Sequence, residues 1–201
     1  MFVGREAIVN LKGVSFRYKN DTTFALKNLD LEIDRGDTLF LMGPTGSGKS
    51  TLCLTLNGLI PHMIKGELKG EINIRGLDTQ SHKVKEFAPL LGLVFQDFEN
   101  QLFSTNVESE IAFGPENMGL SWSDIDDKVR YAIRLTKLNG FEKRDPFSLS
   151  GGERQRLAIA SVISLRAEIL CFDEAFTDLD PLTKGEFLLQ YDSGSTLDRF
   201  F

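Results

Sequence analysis

One eight-residue segment, Gly43-Pro44-Thr45-Gly46-Ser47-Gly48-Lys49-Ser50, constrains this chain more than any other. It fits the pattern G-x-x-x-x-G-K-[ST], follows the apolar run Leu39-Phe40-Leu41-Met42 and precedes a helical pattern through Thr51, Leu52, Cys53, Leu54 and Leu56. Strand, loop and helix in that order are the context in which this pattern holds phosphate. Glycines let the backbone curl so that successive N–H groups face phosphate oxygens at the positive end of the following helix. In such a loop Lys49 reaches the β- and γ-phosphates and the Ser50 hydroxyl ligates Mg²⁺. The loop alone could be a Gly-rich turn opening a helix. With a strand before it, the expectation is a nucleoside triphosphate held along Gly43, Pro44, Thr45, Gly46, Ser47, Gly48, Lys49, Ser50 and Thr51.

Two later segments narrow the reading. Leu149-Ser150-Gly151-Gly152-Glu153-Arg154-Gln155-Arg156 runs into a helical pattern of Leu157, Ala158, Ile159, Ala160, Val162 and Ile163. Ser150 is suited to cap that helix, and Gly151 and Gly152 leave its first N–H groups uncovered for an anion. Alone the segment would pass as an ordinary capped turn. Beyond it, Ile169-Leu170-Cys171-Phe172-Asp173-Glu174 reads as a buried strand ending in two acids. Asp173 then suits a Mg²⁺ ligand and Glu174 a group that activates water. Apolar runs ending in acids are common, so the order of all three segments carries the inference.

That order resembles the nucleotide-binding domain of ATP-binding cassette (ABC) ATPases, over about nine-tenths of the chain. The resemblance implies an α/β P-loop core with an N-terminal antiparallel β subdomain and an inserted helical subdomain. Residues 1–96 and 149–201 would form the core with its β subdomain, and 97–148 the helical subdomain. It implies ATP and Mg²⁺ as cofactors, with Ser50, Gln96 and Asp173 at the metal and Glu174, Gln96 and Lys49 in catalysis. Tyr18, upstream of the loop, matches the aromatic that stacks on adenine, or is a strand-core aromatic. Gln96, after Leu93-Val94-Phe95, matches the glutamine that touches Mg²⁺ and the attacking water, or is a polar residue ending a strand. Thr177-Asp178-Leu179-Asp180 resembles the D-loop, although Asp180 is also explained as a turn acid before Pro181. Hydrolysis in the family needs two such domains, so Ser150, Gly151 and Gly152 would cover the nucleotide of a second copy or a related subunit.

Within the family, Asp97-Phe98-Glu99-Asn100-Gln101-Leu102-Phe103 and Ala112-Phe113-Gly114-Pro115-Glu116-Asn117 are similar to ATPase subunits of energy-coupling factor (ECF) transporters, which take up vitamins and transition-metal ions. Phe98 departs mildly from that pattern, standing where proline is more usual. Transmembrane subunits are then the implied partners, gripped by the helical subdomain, and the implied location is peripheral, on the cytoplasmic face of the membrane. For Phe103, Phe113 and Trp122 in that subdomain, core packing is weighed against exposed contact and preferred. Within the subdomain, Ser121 or Ser123 caps a helix through Ile125, Val129, Ala132, Ile133 and Thr136, stopped by Asn139-Gly140. Strands are expected at 8–18, 24–33, 39–42 and 70–75.

Composition fits these expectations. The 201 residues suit one domain, no run of eighteen apolar residues occurs, and the N-terminus does not read as a signal peptide. A net charge of −6 gives no basic footprint for nucleic acid. Cys53 and Cys171 lie in apolar segments and lack metal-ligand spacing. His62 and His82 read as solvated loop residues.

The end of the sequence departs from the family. Members carry a further strand ending in Thr-His-Asp, whose histidine contacts the γ-phosphate, whereas no histidine follows His82 here. That strand lies between the P-loop strand and the strand ending in Asp173, so its loss is expected to open the middle of the sheet. The tail Thr196–Phe201 reads as a poor substitute, since burying Asp198 and Arg199 would be costly. A truncated or frameshifted ATPase is the expectation, ahead of a natural short regulatory form. Two functions stay open: a transport-coupled ATPase, and a subunit that binds ATP without efficient turnover. A soluble ABC protein of translation or DNA repair would want a second cassette or a long heptad insertion, and neither is present.

Overall fold

Alternating β-branched and aromatic residues organise the first sheet. In the computed structural model, which describes residues 6–175 and 198–200, β1 (Ala7–Tyr18) pairs antiparallel with β2 (Leu26–Asp34) and with β4 (Gly66–Ile74). A short β5 (Leu77–Asp78) completes the order β2-β1-β4-β5. As the inner strand, β1 buries Val9, Leu11, Val14 and Phe16 with Ile72 and Ile74 of β4. Its register with β4 slips between Lys12 and Ser15. The slip depends on Gly70 at φ +85, where a Cβ would stand 2.5 Å from the Lys12 carbonyl oxygen.

The second sheet has the order β3-β8-β7-β6, from β3 (Thr38–Leu39), β6 (Leu91–Val94), β7 (Ile169–Phe172) and β8 (Asp198–Phe200). Every residue of β6 and β7 is buried, the pattern of strands covered on both faces. β8 runs parallel to both neighbours. It pairs Arg199 with Thr38 and Phe200 with Leu39, and on its other side Asp198 with Ile169 and Phe200 with Cys171.

This overturns the expectation of an open sheet. The tail occupies the place between the P-loop strand and the strand ending in Asp173, with three residues in the ladder. Its side chains alone made it a poor candidate, but the backbone decides the matter. An unpaired buried N–H or C=O costs about 1–3 kcal/mol, and an interior gap would leave several, so backbone pairing outweighs the tail's unpromising residues.

The chain divides into two units. The first takes in residues 6–93, 168–173 and 198–200 of those described. It holds both sheets with α1 (Lys49–Leu56), α2 (Leu59–His62) and α3 (Val84–Phe87), and Leu52, Leu56, Ile60 and Phe87 join its core. His62 and His82 are half-buried here, contrary to their reading as solvated. His62 Nε2 lies 2.8 Å from the Thr79 carbonyl and His82 Nδ1 3.1 Å from that of Asp78.

The second unit takes in 94–167 and 174–175 of the described residues. It is built from α4 (Val107–Asn117), α5 (Trp122–Leu135), α6 (Gly151–Ile163) and the 3-10 turns Phe98–Gln101 and Pro146–Ser148. From sequence, 149–167 was expected with the core. In the structure α6 packs on α4 and α5, and Leu157, Ala160, Ile111, Val129 and Ala132 of these helices are buried. Ser121 is the cap of α5, accepting from Asp124 N at 3.2 Å, while Ser123 bonds the Ser121 hydroxyl. The helix stops at Leu135, before Asn139-Gly140, where Lys137 turns to φ 56.

The aromatic residues of this unit correct a further expectation. Phe103 and Phe113 are 59% and 45% exposed and Trp122 is 81% exposed, so none is packed in the core. The two phenylalanines meet edge to face, with centroids 4.6 Å apart. Behind them Glu110, 3% exposed, accepts from the amides of Phe103 at 3.0 Å and Ser104 at 2.7 Å. Two charge-assisted bonds satisfy the buried carboxylate and fix the Phe103 loop to α4. Among the described residues no helix is long and apolar enough to cross a membrane.

Candidate nucleotide-binding site

The phosphate loop begins sooner after its strand than the apolar run suggests. Among the described residues β3 pairs with β8 at Thr38 and Leu39. Residues 40–42 lie beyond the strand, and Met42 is 92% exposed. Ser47 N donates to the Pro44 carbonyl at 3.1 Å, which turns the loop, and α1 opens on Gly48 with no side-chain cap. Only glycine fits there. Its φ is +97, and a Cβ would lie 2.5 Å from the carbonyl oxygen of Ala25. Lys49 folds back over the loop, Nζ donating to the carbonyls of Gly43 at 3.0 Å and Pro44 at 3.3 Å. Tyr18 is half-buried, its hydroxyl 2.9 Å from that of Thr51 on α1 and its ring edge-on to Phe16.

Asp173 follows the last residue of β7 and is 7% exposed. Since β3 and β7 both run parallel to β8, the loop from Gly43 and the carboxylate of Asp173 leave the sheet at the same end. That is the end where open α/β sheets bind ligands. Cys171 faces Cys53 on α1, and their hydrogen bond together with burial pushes the Cys171 thiol well above the usual thiol range. Both thiols are thus core groups, as their apolar segments suggested. Among the described residues no three His, Cys, Asp or Glu side chains gather as a metal cluster. The oxygen donors of Asp173 and Ser50 suit a hard ion such as Mg²⁺, which takes few protein ligands, and a nearly buried carboxylate suits a cation partner.

The second unit holds the remaining groups. Gln96 Nε2 donates to Glu174 Oε2 at 3.2 Å, joining two residues 78 apart in sequence. Glu174 takes φ 54, a conformation that costs energy in a residue with a side chain. Ser150 caps α6 reciprocally: its hydroxyl accepts from Glu153 N at 3.4 Å, and Glu153 Oε2 accepts from Ser150 N at 2.7 Å. The Ser150 N–H and the Ser150 hydroxyl, both donating to Glu153 Oε2, hold the Glu153 carboxyl below its ordinary range. Among the described residues a Cβ on Gly151 or Gly152 would meet nothing within 4 Å, so no packing among them demands glycine at either place. Sequence reasoning did not single out Glu99 or Arg154, whose side chains join the Gln96 flank to this loop. Asp180 and its segment 177–180 lie outside the described residues.

Residues 26–177 match the ABC transporter family, about three-quarters of the chain. The chain belongs to the ABC transporter family of ATP-binding domains, a family of ATPases. An ABC transporter ATP-binding protein of Caldanaerobacter subterraneus is 49% identical over 181 residues, and one of Pyrococcus horikoshii 46% identical over 183. Each alignment takes 90% of this chain but only 32% and 64% of those proteins. The ABC domain therefore spans from about a third to just under two-thirds of the length of these relatives. Its fold is also that of CbiO1 from Clostridium perfringens, part of the ABC transporter complex CbiONQ. The TM-score is 0.81 at 28% identity, covering 97% of this chain and 77% of that one. The span matched to the ABC family contains Gly43 through Thr51, Gln96, Ser150, Gly151, Gly152, Asp173 and Glu174.

Proposed function

We propose that this chain is the ATP-binding subunit of a membrane importer of the ECF type, working beside a second ATP-binding domain and transmembrane subunits. The observation that carries the nucleotide part is the loop of Gly43–Ser50 on α1, with Asp173 leaving the sheet at the same end. ATP phosphates would displace the two carbonyls that now hold the Lys49 ammonium, and charged acceptors bind an ammonium more strongly than neutral ones. The N–H groups of Thr45 through Ser50 would line the same phosphates, and Tyr18, steadied by Thr51, would meet the adenine. Ser50, Gln96 and Asp173 would hold Mg²⁺, whose chemistry is to neutralise phosphate charge. Glu174, presented by Gln96, would orient and deprotonate water.

The partner reading has its own supports. Among the described residues nothing requires glycine at Gly151 and Gly152, which suits close approach by a nucleotide bound to a second domain. Phe103, on a loop fixed by Glu110, and Phe113, on α4, form an exposed apolar pair, which suits a transmembrane subunit and a peripheral position at the cytoplasmic face. CbiO1 is part of an ABC transporter complex, CbiONQ, which supports the ECF type with a vitamin or metal ion as cargo.

Turnover by this chain is a separate question, because no histidine follows His82. β8 restores the ladder without restoring that side chain. With dimerisation enforced by a fused coiled coil, phosphate release from ATP is expected to be about a hundredfold or more below that of a histidine-bearing relative. Glu174→Gln should abolish the remaining activity. A rate equal to the relative's, lost in Glu174→Gln, would show that the chain is a complete catalyst as it stands. A slow rate is what a subunit that chiefly binds ATP would give.

A further inference from the structure

Arg154 stands two residues beyond Gly152 on the first turn of α6. Its Nε and Nη2 both reach Glu99 Oε1, at 3.0 and 2.7 Å, and its Nη1 donates to the Leu149 carbonyl at 2.6 Å. Leu149 directly precedes Ser150. Glu99 lies three residues after Gln96, in the turn Phe98–Gln101, and Gln101 in that turn accepts from Phe95 N at 3.4 Å. A single planar group thus grips the backbone at the Ser150 loop and a carboxylate on the segment that carries Gln96.

We propose that Arg154 is a positioning residue that couples the orientation of the Ser150–Gly152 loop to that of the segment after Gln96. An ion pair this accessible adds little to stability, so its contribution is geometric. Three N–H groups fixed in one plane hold two segments at a set angle, which the point charge of lysine does not reproduce. The proposal rests on the function above only for what the two segments do. Movement at Gln96, bonded to Glu174, then reaches the loop that would face a neighbouring nucleotide, and the effect is reciprocal.

Hydrogen exchange on the full chain tests it. In Glu99→Ala, the amides of Glu153 and Arg154, which bond Ser150, should exchange about tenfold faster although the mutation lies 54 residues away or more. In Arg154→Ala the same acceleration should appear at Leu102, which bonds the Glu99 carbonyl. The double variant should add nothing at Gln101 and Leu149 beyond either single change. Melting temperature and exchange in the middle of α5 should hold steady, which separates positioning from a general loss of structure. Unchanged exchange at Glu153 in Glu99→Ala, additive effects in the double variant, or uniform acceleration across α4, α5 and α6 would each overturn the proposal. Lys49→Ala should leave the coupling intact, so a failed ATP site and a failed bridge give different results.

Discussion

Replacing Lys49 with alanine lowers ATP affinity by about a hundredfold or more, since a hydrogen bond to a charged group contributes about 1.5–3 kcal/mol and this ammonium would make more than one. Titration calorimetry of parent and variant reads the difference directly. The fold should be indifferent to the change. Lys49 Nζ bonds the carbonyls of Gly43 and Pro44 on the protein's surface, and the buried face of α1 is formed by Thr51, Leu52, Cys53, Thr55 and Leu56. The parent's melting temperature should therefore rise with ATP–Mg²⁺ while that of the variant does not, because a ligand that binds only the folded form stabilises it. Equal affinities would remove the loop from the nucleotide site.

The second large effect lies at the far end of the chain. Arg199→Pro should destabilise the protein by about 3 kcal/mol or more, because Arg199 pairs with Thr38 on one side and Leu170 on the other. Proline removes a ladder N–H in an interior strand. Against a total of about 5–15 kcal/mol, this is a large share, and the midpoint of urea unfolding should fall accordingly. Arg199→Thr keeps the N–H and should stay within about 1 kcal/mol of the parent, which guards against a proline variant that fails to fold. An unchanged midpoint in Arg199→Pro would take β8 out of the sheet. An open sheet would have left the chain marginal, and β8 removes that reason for instability.

The legible parts of the molecule are the ones written in contiguous residues. Gly43 through Ser50, the Ser150 cap with Glu153 three residues on, and the acids closing Ile169–Phe172 each complete their geometry within one turn or strand end. The illegible parts depend on what the fold brings alongside. Leu39–Met42 has the composition of a strand, yet among the described residues the strand there is only Thr38–Leu39. Thr196–Phe201 lacks the composition of an inner strand, yet two neighbours with open backbone groups recruit three of its residues. Phe103, Phe113 and Trp122 have the character of core residues, but the faces that would cover them are not supplied by α4, α5 or α6. Gln96 was marked on its own, and its bond to Glu174, like that of Arg154 to Glu99, spans too many residues for any local pattern to announce.

The placement of Trp122 has an optical consequence. It is the chain's single tryptophan, and it opens α5 with its indole 81% exposed. The folded protein therefore emits as a solvated indole, at nearly the wavelength of the unfolded chain. Melting of the core passes almost unseen in that emission. A surface laid over the start of α5 would instead exclude water from the ring and move its light to the blue. The intrinsic fluorescence of this chain reports on company at α5, and is nearly silent about unfolding elsewhere in the chain.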